Sequence, residues 1–157
     1  MINYDKKYQK IIDDLIEKSF PEFAGKGIRV SAANERVSGR CSAVTYYFIW
    51  ISFIKVSRRV RKFSDLELKG LLAHELGHIL RFESCNFFGK FWEGLKYFIS
   101  RKARTIEENI CDKIAIERGY AKGLFSFKSK SKKKTKYSEC YLSANDVKTY
   151  AKEIGKW

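Results

Sequence analysis

The chain has 157 residues, of which 45% are hydrophobic and 32% charged, and it carries a formal net charge of +14 at pH 7. That length and apolar content suit one soluble domain with a real core and exclude a disordered chain. The positive charge is uneven, with six lysines inside Lys128–Lys136 and a second cluster at Lys55, Arg58, Arg59, Arg61 and Lys62.

Residues 4–20 set Tyr4, Tyr8, Ile11, Ile12, Leu15 and Ile16 on one face, which predicts an amphipathic helix ending near Phe20-Pro21. The first twenty residues contain no continuous apolar block, so no secretory signal is expected and the cytoplasm is the default compartment. The next segment is rich in Val, Ile, Tyr and Phe. It predicts a short strand near Ile28–Ser31, a break at "NERVSGR", and one long strand or a hairpin between Ser42 and Val60. Its apolar heart, Ser42–Ile54, is too short for a membrane span and reads as buried strand.

Ser64 and Glu67 form a capping-box pattern that opens a helix running to about Phe82. Residues 85–99, "CNFFGKFWEGLKYFI", gather seven large apolar side chains on a helical stripe. The plain reading is a helix packed on the core; the sharper ones are a flap beside a cleft or an interfacial membrane helix. A further helix is expected over Thr105–Arg118, stopping at Gly119, and a last short one after Ser143 as N-cap. A single domain therefore spans 1–157, with 85–104 and 121–140 read as insertions or loops. Cys41, Cys85, Cys111 and Cys140 include no C-x-x-C pair, so a zinc ribbon is unsupported and buried thiols are preferred. The run Lys128–Lys136 reads either as a solvated loop or as a patch for nucleic acid or another anionic surface.

Both histidines of the chain lie in "LLAHELGHILRF", residues 71–82. A helix advances about 100° per residue, so His74 and His78 project from one face about 40° apart, with Leu72, Leu76, Ile79 and Leu80 opposite. Two neutral imidazoles one turn apart can share one tetrahedral ion. Glu75 is offset enough to miss that ion and reach its bound water as a general base. Gly77 leaves room for another element to approach. With no third histidine, the remaining ligand must be Asp, Glu or Cys. In "RTIEENICDKIAIERGY", Glu108 and Asp112 share a face, while Ile106, Ile110 and Ile114 gather opposite and Glu107 falls beside the apolar arc. This favours Glu108 on the metal, with Asp112 holding the far nitrogen of a ligand histidine.

His74-Glu75-Leu76-Gly77-His78 followed by Glu108-Asn109-Ile110-Cys111-Asp112 resembles the gluzincin metallopeptidases, which pair H-E-x-x-H with a downstream E-x-x-x-D. The short chain and element order look most like the minigluzincins. The resemblance implies a small α+β zincin-like domain: an N-terminal helix, a short mostly antiparallel sheet, an active-site helix, a glutamate helix and a C-terminal helix. It implies Zn2+ on His74, His78 and Glu108, a zinc-bound water activated by Glu75, Asp112 behind the ligands, and hydrolysis of an extended peptide or protein substrate. It also implies an edge strand lining the cleft, expected within Tyr46–Val56, although that stretch reads equally well as a central strand. A tyrosine that stabilises the tetrahedral intermediate is expected among Tyr120, Tyr137 and Tyr141. A variant of this reading makes the resting protein latent, with a terminus or segment 85–99 in the cleft. The alternative from a different class is a basic nucleic-acid-associated or regulatory module with a structural zinc site.

Overall fold

Asn3 starts the first helix. Its side chain accepts a hydrogen bond from the Lys6 N–H at 3.1 Å, and α1 then runs over Tyr4–Ser19 to a 3-10 turn at Pro21–Phe23. In the computed structural model the described residues are 2–33, 41–47, 51–84, 100–131 and 138–157. Tyr8, Ile11, Ile12 and Leu15 of α1 are buried, so the predicted apolar stripe is the packed one. The aromatic segment 85–99, Cys85, Tyr137 and the lysines at 132–136 lie outside the described residues.

Three strands follow: β1 (Gly27–Ala32), β2 (Ala43–Tyr47) and β3 (Ile51–Val56). Their order is β1-β3-β2. Of the two alternatives for Ser42–Val60, the hairpin-like antiparallel pair forms, with Ala43 opposite Val56 and Tyr47 opposite Ser52. β1 lies parallel to β3 on the other side. Where a mostly antiparallel sheet was expected, the two pairings divide evenly. β3 returns between β1 and β2, antiparallel to β2 and in the same direction as β1.

In β3, Ile54 and Val56 are buried while Ile51 and Phe53 are exposed. One face of the sheet therefore packs on helices and the other meets solvent. Along β1 the outward backbone groups are taken by α1. Gln9 donates to the Ile28 carbonyl at 3.1 Å and accepts from the Val30 N–H at 2.9 Å, while Asp5 accepts from the Ala32 N–H at 2.6 Å.

Helix α2 covers Asp65–Ser84 and is buried on nearly every side, with Leu68, Leu72, Leu76 and Ile79 wholly enclosed. At its start the Glu67 carboxylate reaches back to the Ser64 N–H at 2.8 Å. It also accepts from the Ser64 hydroxyl at 3.1 Å and the Ser126 hydroxyl at 2.7 Å, and pairs with Lys130. Burial alone would raise the Glu67 pKa; Lys130, Ser126 and Ser64 together outweigh it and hold the group down to about 2. A carboxylate depressed in the folded state stabilises the fold above its unfolded pKa of about 4.3 and loses that contribution as pH falls toward 2. Acid titration of unfolding should therefore show a fall in stability between pH 4.5 and 2 that is shallower in Glu67→Gln. Parallel curves for the two proteins would contradict this role.

Helix α3, Arg101–Ala115, starts at a Ser100 cap, four residues earlier than the sequence suggested. It passes through a wide turn at Ile116–Tyr120, where Gly119 takes φ 95° and ends the helix at the predicted residue. The stretch 121–140 was expected as an insertion or loop. Its first part is instead a helix, α4 (Ala121–Lys130), with Ala121, Leu124 and Phe127 buried. α4 crosses α2 at two glycines: a Cβ on Gly70 would lie 2.2 Å from the Leu124 nitrogen, and one on Gly123 would lie 2.2 Å from the Leu66 carbonyl oxygen. The lysine run made this segment read as loop, yet Lys128 and Lys130 belong to a packed helix. The last helix, α5 (Ala144–Glu153), begins at Ser143 with a complete Ser143/Asp146 capping box. No described helix is long and apolar enough to cross a membrane.

Candidate metal centre

α2 and α3 meet at a glycine. A Cβ on Gly77 would stand 3.2 Å from the Cys111 Cα, so the two backbones touch one residue before His78. The contact turns Glu108 and Asp112 toward the two imidazoles. This reverses part of the helical-wheel expectation. The buried face of α3 is Glu108, Cys111, Asp112 and Ala115, whereas Ile106 is 52% exposed and Ile110 and Ile114 are half-buried. The histidine face of α2 packs on this acidic face of α3, as the pairing of Glu108 and Asp112 with the histidines requires. The isoleucines suggested a core-facing stripe, and the acidic face won because the histidines need partners inside the protein.

One oxygen, Glu108 Oε2, lies 3.2 Å from His74 Nε2 and 3.3 Å from His78 Nε2. The rings stand edge to face, with centroids 4.9 Å apart. Asp112 takes the other side of His74, with Oδ1 2.8 Å from Nδ1. Its second oxygen accepts from Lys128 Nζ at 2.8 Å and from the Leu142 N–H at 3.0 Å. If His74 is neutral and donates Nδ1–H to Asp112, its Nε2 is a bare lone pair facing a carboxylate. Two lone pairs at that distance need a cation between them or a proton on the ring.

The electrostatics point the same way. Burial opposes a charge on His74, but Asp112 and Glu108 overcome it and raise the imidazole pKa to about 10. Burial also opposes ionisation of Glu108, yet His74 and His78 hold its carboxyl well below the usual carboxylate range. Asp112 is likewise held low by His74 and Lys128 against its burial. The pocket is thus built around positive charge. Zinc bonds of about 2.0–2.2 Å to imidazole and carboxylate give tetrahedral edges of about 3.3 Å. The separations between Glu108 and the two histidines fit those edges, and the three side chains form a group able to hold an ion.

Glu75 is buried beside this group and turns to the sheet, where the Thr45 hydroxyl donates to its Oε2 at 2.6 Å. Thr45 lies on β2, so the strand beside the site is Ala43–Tyr47. The edge-strand expectation of Tyr46–Val56 is corrected accordingly: Tyr46 and Tyr47 belong to the edge, Ile51–Val56 is the central strand, and 48–50 lie outside the described residues. Nothing in the sequence tied Thr45 to Glu75 of the histidine helix, thirty residues further on. Of the three tyrosines, Tyr141 has its ring 5.9 Å from that of His74, with Lys128 Nζ 5.0 Å above it. The Tyr120 hydroxyl is engaged by Ser19 at 2.8 Å. Lys128 was read as part of a basic run, but its ammonium is mostly buried and faces Asp112.

No protein-family model matches the chain, and no curated protein or solved structure is significantly similar to it.

Proposed function

We propose that this protein is a zinc-dependent metalloendopeptidase of the gluzincin type, with His74, His78 and Glu108 as ligands and Glu75 as general base. The observation that carries this reading is the single Glu108 oxygen within 3.2–3.3 Å of both Nε2 atoms, with Asp112 occupying the far side of His74. A bound zinc would polarise a peptide carbonyl and bring the pKa of a water down to about 7.

The chain's own groups supply the rest. Asp112 fixes the His74 tautomer and Lys128 keeps Asp112 ionised. Glu75 accepts a proton from the attacking water and returns it to the leaving amine, with Thr45 holding one carboxylate oxygen in place. An extended substrate lies along β2, the strand that carries Thr45, and pairs with it through main-chain hydrogen bonds. Of the two described candidates, Tyr141, whose ring lies 5.9 Å from that of His74, is the one assigned to assist the tetrahedral intermediate. Action in the cytoplasm on exposed or unfolded segments is part of the same proposal. A basic nucleic-acid module with a structural zinc draws less support, because Lys128 and Lys130 are engaged by Asp112 and Glu67.

Purified protein should contain about one zinc per chain and cleave a disordered protein mixture, with cleavage lost on chelation and restored by zinc. Wild type and zinc-soaked protein both lacking the metal would remove the proposal. Zinc present without cleavage, before and after limited proteolysis to relieve a latent state, would leave a structural site.

A further inference from the structure

The two ligand histidines are not held by the same kind of partner. His74 has a carboxylate on Nδ1, whereas His78 Nδ1 faces the Cys111 sulfur at 3.2 Å. The Cys111 Sγ in turn stands 3.9 Å from Glu107 Oε1, and the Arg81 Nε and Nη2 both reach Glu107 Oε2 at 3.4 Å. A chain of contacts therefore runs from Arg81 through Glu107 and Cys111 to His78. It parallels the one from Lys128 through Asp112 to His74.

We infer that Cys111 is a positioning residue that holds His78 with its proton on Nδ1, so that Nε2 is free for the metal. The inference rests on the metallopeptidase reading. A thiol can do this only in one orientation. His78 Nδ1–H donates to the sulfur, and the S–H points onward to Glu107 Oε1. The opposite arrangement, S–H donating to Nδ1, would put the ring proton on Nε2 and close that nitrogen to the ion. Glu107, anchored by Arg81, is the acceptor that selects the first orientation. Glu107, the poorer ligand by its helical angle, acquires a role from this position.

His78, Glu107 and Cys111 also lie close enough together to form a second candidate ion group. That use would turn the sulfur and Glu107 onto an ion at the Nδ1 side of His78, the side opposite the Nε2 that faces Glu108. Arg81 already occupies Glu107. The thiol as hydrogen-bond link leaves that ion pair intact.

The test compares zinc affinity, by competition with a chromogenic chelator, in wild type, Cys111→Ser, Cys111→Ala and Glu107→Ala, with imidazole proton and nitrogen NMR on the zinc-loaded protein. The chain has two histidines, so two ring systems are followed. A serine hydroxyl can accept and donate as the thiol does, so Cys111→Ser should stay near wild-type affinity. Cys111→Ala should bind about 10- to 100-fold more weakly, as expected for loss of a ligand's outer partner. Glu107→Ala should weaken binding in the same direction. In wild type the His78 Nδ1–H should exchange slowly with water, and in Cys111→Ala it should exchange quickly.

Alanine at 111 binding zinc as tightly as wild type, with the ring proton unchanged, would overturn the positioning role while leaving the metal site intact. A sulfur-to-metal charge-transfer band in the cobalt-loaded protein would overturn it too, since it would make Cys111 a ligand. Wild type that takes no zinc would sink both readings together.

Discussion

Glu75→Gln should leave the zinc content unchanged and reduce peptide cleavage by about 10²- to 10⁴-fold, the contribution of a positioned general base. Glutamine keeps the shape of the side chain and an oxygen that can accept from the Thr45 hydroxyl, which stands 2.6 Å from Oε2. The helix and its neighbours therefore have no reason to move, and the loss isolates the proton transfer. Glu75 is also buried, and removing a charge from an enclosed position with one hydrogen-bond partner should not destabilise the fold. The measurements are metal content, thermal unfolding and the cleavage rate of a disordered protein. Undiminished cleavage by the variant would falsify the assignment of the base, and loss of zinc would mean that Glu75 serves the metal directly.

The largest expected effect on stability comes from Asp112→Ala. The carboxylate is wholly buried and meets three donors from three parts of the chain: His74 on α2, Lys128 on α4 and the Leu142 N–H that leads into α5. Truncation leaves the mostly buried Lys128 ammonium without its counter-charge, and breaking one partner of such a pair costs about 3–5 kcal/mol. Urea unfolding of metal-free wild type and variant would measure it. A loss below about 1 kcal/mol, the value of an exposed ion pair, would mean that the network does not hold these helices together. Asp112→Asn should fall between, since it keeps hydrogen bonds but not the charge.

Legibility in the sequence followed the range of the interactions. The end of α1 near Phe20-Pro21 and the start of α5 at Ser143 were readable because such stop and cap signals act over three or four residues. The four-residue spacing of His74 and His78, and of Glu108 and Asp112, is equally local, so the converging residues could be named in advance. What failed was long range. The angular position of the isoleucines on α3 suggested a core-facing side, but which face is buried depends on α2, and the Gly77–Cys111 contact turned the acidic face inward. α4 was hidden because the lysine run dominates the segment's composition, whereas its helix is set by contact with α2, where Gly123 meets the Leu66 carbonyl. Strand order depends on a parallel pairing across more than twenty residues, which no periodicity encodes. Thr45 and Cys111 reach the site through tertiary packing alone.

Gln9 and Asp5 do more than tie α1 to β1. They take hydrogen bonds along the outer side of β1 that a strand from another molecule would need in order to dock there. Exposed strand edges invite neighbouring chains to extend the sheet, the first step toward aggregates. Here the first helix blocks that growth with polar side chains, one of them the chain's single glutamine. The same helix that contributes Ile12 and Leu15 to the core thus also protects the folded chain from its own copies on that side.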